Sequence, residues 1–161
     1  MNIPQLNGKI ILGDLDMKVK RLRETREYLD LKQVDLIDLF GVTYSTISGW
    51  ETGKDTIPLK QLIKYANKFN FSLDYLLGIT DKNVEYKKLD IDLNILATNL
   101  KKKRKQYGKT QQQIADIINT SQSSYAHYEN ARYLMPLNFL YNLSKIYSDI
   151  SIDEMLGRKK K

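Results

Sequence analysis

The sequence predicts an all-α fold made of two tandem five-helix units, and three observations carry that prediction. The chain repeats itself at a fixed offset of 78 residues. Proline is absent from residues 5–57 and 59–135, so long stretches are free to be helical. Apolar residues recur at helical spacing in both copies.

At the offset of 78, Leu22 falls on Leu100, Arg26 on Arg104 and Gln33 on Gln111. Asp38 meets Asp116, Ser45 meets Ser123 and Glu51 meets Glu129. Pro58, Leu59 and Leu62 coincide with Pro136, Leu137 and Leu140. One extra residue near Ser148 shifts the register to 79, after which Ser72, Asp74, Leu77 and Gly78 match Ser151, Asp153, Leu156 and Gly157. Agreement in order and spacing over this length marks one unit written twice.

The first unit reads as helices near 16–29, 33–40, 44–51, 59–69 and 73–77. Val19 and Leu22, then Leu36, Leu39 and Phe40, then Leu62, Tyr65, Ala66 and Phe69 form their apolar faces. The second unit repeats them near 93–107, 111–118, 122–129, 137–147 and 152–156. Gly108 ends its first helix in a left-handed cap. Thr110 with Gln113 forms the T-x-x-Q capping box that opens the next. Pro58 and Pro136 each stop what precedes them and stand at a helix start.

This divides the chain into an N-terminal extension at 1–16, a unit at 17–79, a linker at 80–92, a unit at 93–157 and a basic tail at 158–161. The linker, polar and charged, extends to roughly 43 Å at most. The formal net charge is +7, which suits a polyanionic partner. Residues 93–161 carry twelve Lys and Arg against five acids, while residues 17–80 carry ten against eight. Much of the second half's excess lies in Lys101–Lys105 and in Arg158–Lys161, so that half supplies more of the nonspecific attraction for a polyanion.

In the stretch from Gln33 to Trp50, a short helix ends at Gly41, whose glycine tolerates the left-handed backbone of a tight turn. Leu36, Val42, Ile47 and Trp50 bury the inner faces, which leaves Tyr44, Ser45, Ser48 and Gly49 near the outer face of the next helix. That face is small and polar, suited to entering a groove. In the second copy, Asn119 replaces the turn glycine, and the outer face carries Gln122, Ser123, Ser124 and His127. A glutamine at the front of such a helix fits the N6/N7 edge of adenine. Trp50 and Tyr128 are read as core.

Both halves resemble the Cro/repressor family of helix-turn-helix proteins (Xre-type, lambda-repressor-like). The matching residues are Leu22-Arg23-x-x-Arg26, Gln33, Gly41-Val42-Thr43, Ser45 to Lys54, Pro58 and Ser72 to Gly78. In the second half they are Leu100, Arg104, Thr110-Gln111, Ile114-Ala115, Ser123-Ser124, Tyr128-Glu129-Asn130, Pro136 and Ile152-Asp153-x-x-Leu156-Gly157. The resemblance implies two five-helix DNA-binding domains and a sequence-specific transcriptional regulator, a repressor, acting on double-stranded DNA. It implies phosphate contacts from Gln33 and Gln111, and base and phosphate contacts from Thr43, Tyr44, Ser45, Thr46 and Gly49. In the second half the corresponding contacts come from Ser121, Gln122, Ser123, Ser124 and His127, with Lys54 and Arg132 on flanking phosphate. Arg26 with Glu51, and Arg104 with Glu129, match a family pair that ties the first helix to the third. The copies depart from the family at Ile37, where a small residue like Ala115 is usual, and at Tyr125, where Ile47 is usual.

Other classes are disfavoured. With no cysteine and the single histidine His127, thiolate sites and multi-histidine metal sites are excluded, and neither a metal nor a cofactor is expected. No nucleophile–base pair or phosphate loop suggests an enzyme. No apolar run approaches the length of a membrane span, and a cytoplasmic protein of bacterial or phage origin is expected, with no small-molecule ligand. Homodimerisation would double the reading heads. Two alternatives stay open: an antitoxin-type autoregulator with a toxin partner, and an interaction module in which one domain no longer binds DNA.

Overall fold

The computed structural model describes residues 18–161 and, before them, two antiparallel two-residue strands, β1 (Gln5–Leu6) and β2 (Lys9–Ile10). The remainder of the expected N-terminal extension lies outside the described residues. The helices are α1 (Leu22–Tyr28), α2 (Ile37–Phe40), α3 (Tyr44–Thr52), α4 (Leu59–Phe69) and α5 (Leu73–Leu76), then α6 (Leu93–Gln106), α7 (Gln111–Ile117), α8 (Gln122–Glu129), α9 (Leu137–Ile146) and α10 (Ile152–Met155). A 3-10 turn, Gln33–Leu36, runs directly into α2. The chain forms two compact units, one of residues 16–89 with 159–161, the other built on residues 90–158.

In the first unit, α1 starts six residues later than the apolar spacing suggested. The backbone N–H of Arg21 donates to the Leu76 carbonyl at 3.0 Å, and its guanidinium reaches the Tyr75 and Thr80 carbonyls at 2.7 and 2.8 Å. Those bonds commit residues around 18–21 to α5, so Val19 is buried from a turn rather than from a helix. The core gathers Leu22, Leu36, Ile47, Ile57, Leu62, Leu73 and Leu76 around Tyr65, whose hydroxyl meets Thr25 Oγ1 at 3.0 Å. Burial pushes the Tyr65 phenol up to about 12. Trp50 is 5% exposed and packs edge-on against Phe40 at 5.2 Å, a core residue as read from its spacing.

The second unit builds the same plan with one exchange. Ile47 of α3 and Tyr65 of α4 correspond at the offset to Tyr125 of α8 and Leu143 of α9, and all four are fully buried. The aromatic ring has moved from the fourth helix of a unit to the third, while the summed volume stays nearly constant. Volume-conserving exchanges of this kind are the ones cores tolerate best. That accounts for Tyr125 where isoleucine was expected.

Among the described residues, every left-handed backbone position of the first unit except Asn70 repeats in the second. Asp30 (φ 55°) matches Gly108 (61°), Gly41 (66°) matches Asn119 (60°), Gly53 (81°) matches Ala131 (56°), and Gly78 (72°) matches Gly157 (84°) at the shifted register. Asn119 supplies the left-handed turn that Gly41 supplies in the first unit, as its residue type predicts. Thr110 Oγ1 accepts from Gln113 N at 3.1 Å while Gln113 Oε1 accepts from Thr110 N at 2.9 Å, completing the expected capping box.

Residues 80–89 are not a free tether. Asn83 Oδ1 accepts from Ser72 N at 2.8 Å, Asn67 bonds both the N–H and the carbonyl of Leu89, and Tyr86 and Leu89 are buried. The reach of a fully extended linker therefore does not apply to this stretch; its polar composition masked two apolar anchors. The basic tail is likewise shorter than expected. Arg158 is buried and bonds Asp153 at 2.9 Å, and Lys159–Lys161 run beside Glu85–Lys87, with Lys87 N donating to Lys159 O at 2.8 Å.

Candidate nucleic-acid interface

Each unit presents a short helix, α3 or α8, after a tight turn. Thr43 is the N-cap of α3, its Oγ1 accepting from Thr46 N at 3.3 Å and lying 3.0 Å from Thr46 Oγ1. Ser121 caps α8 in the same way, accepting from Ser124 N at 3.1 Å and donating to Ser124 Oγ at 2.9 Å. These four hydroxyls fix the helix starts, a structural role that the sequence reading had not given them. They leave the N-terminal faces open to solvent: Tyr44 and Ser45 on α3, Gln122 and Ser123 on α8, are all exposed.

A buried ion pair sets the angle of each helix. Glu51, near the end of α3, is 3% exposed and takes Nη2 of Arg26 at 3.0 Å, while Arg26 Nη1 donates to Leu31 O at 2.6 Å. Arg104 repeats this with Glu129 at 2.6 and 3.0 Å and with Lys109 O at 3.0 Å. Burial pushes the Glu129 carboxyl up, but hydrogen bonds from Arg104 and Gln111 outweigh it and hold the group below the usual carboxylate range. The expected tie between the first and third helices is present in both units.

Gln33 and Gln111 join the same network. Gln33 Nε2 donates to Glu51 Oε2 at 2.7 Å, and Gln111 Nε2 donates to Glu129 Oε2 at 2.9 Å. Both side chains are half-buried, so one amide hydrogen of each is committed inward and the other remains for an outside acceptor. In the second unit the chain runs one step further, because Gln122 Nε2 donates to Gln111 Oε1 at 2.8 Å. A line of contacts thus passes from Arg104 through Glu129 and Gln111 to the exposed Gln122. The first unit has Tyr44 at the equivalent place, 55% exposed.

Gly49 does not stand on the open face as its spacing suggested. It is buried, because the Asp55 carboxylate lies over it where a β-carbon would otherwise be, and Asp55 N donates to Gly49 O at 3.1 Å. The equivalent pair in the second unit is His127 and Tyr133. Their rings stand edge to face at 5.5 Å, and Arg132 Nη1 lies 3.4 Å from His127 Nδ1. Lys54 and Arg132 are exposed beyond the ends of α3 and α8. Asp55 and Tyr133 were missed in the sequence because neither belongs to the motif; their unlike pairing at the offset was the available signal.

The basic run on α6 offers less free charge than its composition implies. Lys103 bonds Asp149 at 2.6 Å and Arg104 is held by Glu129, which leaves Lys101, Lys102 and Lys105 exposed. Hydrogen bonds from Lys103 and from the Tyr107 hydroxyl hold the Asp149 carboxyl below its ordinary range. Among the described residues, no helix is long and apolar enough to cross a membrane.

The model of the helix-turn-helix family matches twice, over residues 22–76 and 100–155, and together the matches cover more than half of the chain. The chain belongs to the helix-turn-helix family. The matched regions hold α2–α3 and α7–α8 as the motif helices, and the arginine–glutamate pairs tie α1 to α3 and α6 to α8. The chain is also similar to the uncharacterized HTH-type transcriptional regulator YobD of Bacillus subtilis (strain 168). The two are 34% identical over 65 residues, which is 40% of this chain and 58% of the relative. No solved structure gives a significant match.

Proposed function

We propose that the chain is a sequence-specific DNA-binding transcriptional regulator that places α3 and α8 in major grooves. The observation that carries this reading is the pair of exposed polar helix starts, each held at its angle by a buried arginine–glutamate–glutamine network. The family membership and the printed name of the Bacillus relative support it.

Gln122 reads the N6/N7 edge of adenine, and Gln111 holds it in place for that contact. Tyr44, Ser45 and Ser123 meet base edges or phosphate from the same helix faces. The remaining amide hydrogens of Gln33 and Gln111, the capping hydroxyls of Thr43, Thr46, Ser121 and Ser124, and the cations of Lys54 and Arg132 position the backbone. Repression by occupancy requires nothing beyond this binding. A second copy of the chain would bring four reading helices to one operator.

The test is selection from a random duplex pool with the purified chain at stated salt. Enrichment of a sequence with two half-sites is expected, and Gln122→Ala should relax one of them. Binding without any sequence preference overturns the reading.

A further inference from the structure

The two units differ in what occupies one position along α3 and α8, and the difference is chemical. At the offset of 78, Gly49 corresponds to His127 and Asp55 to Tyr133. In the first unit the side chain at the helix position is missing, and the Asp55 carboxylate fills the space where a β-carbon of residue 49 would stand. Glycine in the middle of a helix costs stability relative to alanine, so its presence in α3 needs a reason. Seating Asp55 is that reason. The carboxylate is exposed, and among the described residues no side chain or backbone group bonds or pairs with it, so its lone pairs are free to accept.

In the second unit the helix position carries an imidazole. The guanidinium of Arg132 can only donate, so at their 3.4 Å contact His127 Nδ1 is the acceptor and Nε2 is the ring nitrogen left to donate. Tyr133, 62% exposed, stands edge-on to that ring at 5.5 Å and braces it from the loop after α8. A tyrosine this open contributes little to the core; its ring contact is the histidine.

We propose that Asp55 and His127 hold the same place in the two units as opposite partners, Asp55 as an acceptor and His127 as a donor, so that the chain selects two unlike half-sites. This rests on the DNA-reading proposal above. A carboxylate accepts from an exocyclic amino group, for which cytosine N4 is the best match in the major groove. An imidazole N–H donates to N7 or O6 of guanine. The carboxylate also repels phosphate and therefore penalises every register in which no amino group faces it. The first unit, with the smaller charge excess, gains discrimination and gives up nonspecific affinity.

The experiment is selection from a random duplex pool with the full chain, with Asp55→Asn and with His127→Ala, at one stated salt concentration. The wild type should enrich two half-sites that differ at one position, cytosine in one and guanine in the other. Asp55→Asn should lose about tenfold of the cytosine preference and leave the other half-site as it was. His127→Ala should do the reverse, and the unaffected half-site shows in each case that the chain is folded. Two identical half-sites, or a cytosine preference untouched in Asp55→Asn, overturn this inference while leaving the DNA-reading proposal standing. No enrichment by the wild type overturns both.

Discussion

Ala131 follows the C-terminal end of α8 with φ at 56°, in the region where its equivalent Gly53 sits at 81° after α3. An L-residue with a β-carbon pays roughly 1–2 kcal/mol there, because the β-carbon crowds the carbonyl oxygen. Replacing it by glycine relieves that strain but adds conformational freedom to the unfolded chain, worth about 0.5–1 kcal/mol in the other direction. The net gain for Ala131→Gly is about 0.5–1 kcal/mol, which in a unit of this size raises the melting midpoint by about 2–8 °C. Gly53→Ala should lose a similar amount; the new β-carbon would meet Lys18 Cγ and Cδ at 3.3 Å, and that flexible side chain can give way. The single tryptophan, Trp50, is buried in the first unit, so its fluorescence follows Gly53→Ala, whereas far-ultraviolet circular dichroism of the full chain follows Ala131→Gly. A midpoint for Ala131→Gly that falls or does not move refutes the reasoning.

Further perturbations act on the buried networks. Arg104→Ala leaves Glu129 buried without its cation and should cost about 3 kcal/mol in urea unfolding, far more than loss of a surface pair. The Glu129 carboxyl is held below its ordinary value of 4.5, so it adds stability above that pH and loses it as pH falls through the lower folded value. Unfolding midpoints should thus be insensitive to this group near neutrality and decline below about pH 4.5, with a shallower decline in Glu129→Gln, an outcome read from a pH series of denaturation curves. Gln111→Ala should weaken DNA binding about tenfold through lost orientation of Gln122, and its lost hydrogen bond to the Glu129 carboxylate should cost about 1.5–3 kcal/mol of stability; affinity equal to the wild type would show that Gln111 does not orient Gln122.

Much of the architecture was legible because it depends on local chemistry. Thr110 with Gln113 and the turn at Asn119 announce themselves by residue type and spacing, and the Arg–Glu pairs by their place in a repeated motif. What escaped depends on contacts across the fold. The late start of α1 follows from Arg21 bonding α5, more than 50 residues away, and no local pattern carries that. The docking of 80–89 depends on Asn67, a polar residue whose two bonds to Leu89 are invisible until α4 is placed. At the candidate site, Gln122 was legible as an exposed helix-start residue, whereas Gly49 was not. Its burial arises from a carboxylate six residues later that folds back over it.

Interference by 7-deazapurines placed one position at a time in the selected operator tests the central claim most directly, since N7 of guanine and N7 of adenine both lie in the major groove. Two separate clusters of interfering purines, one abolished by Gln122→Ala and the other retained, are the predicted result. A single cluster insensitive to that change, or no major-groove interference at all, would contradict the account.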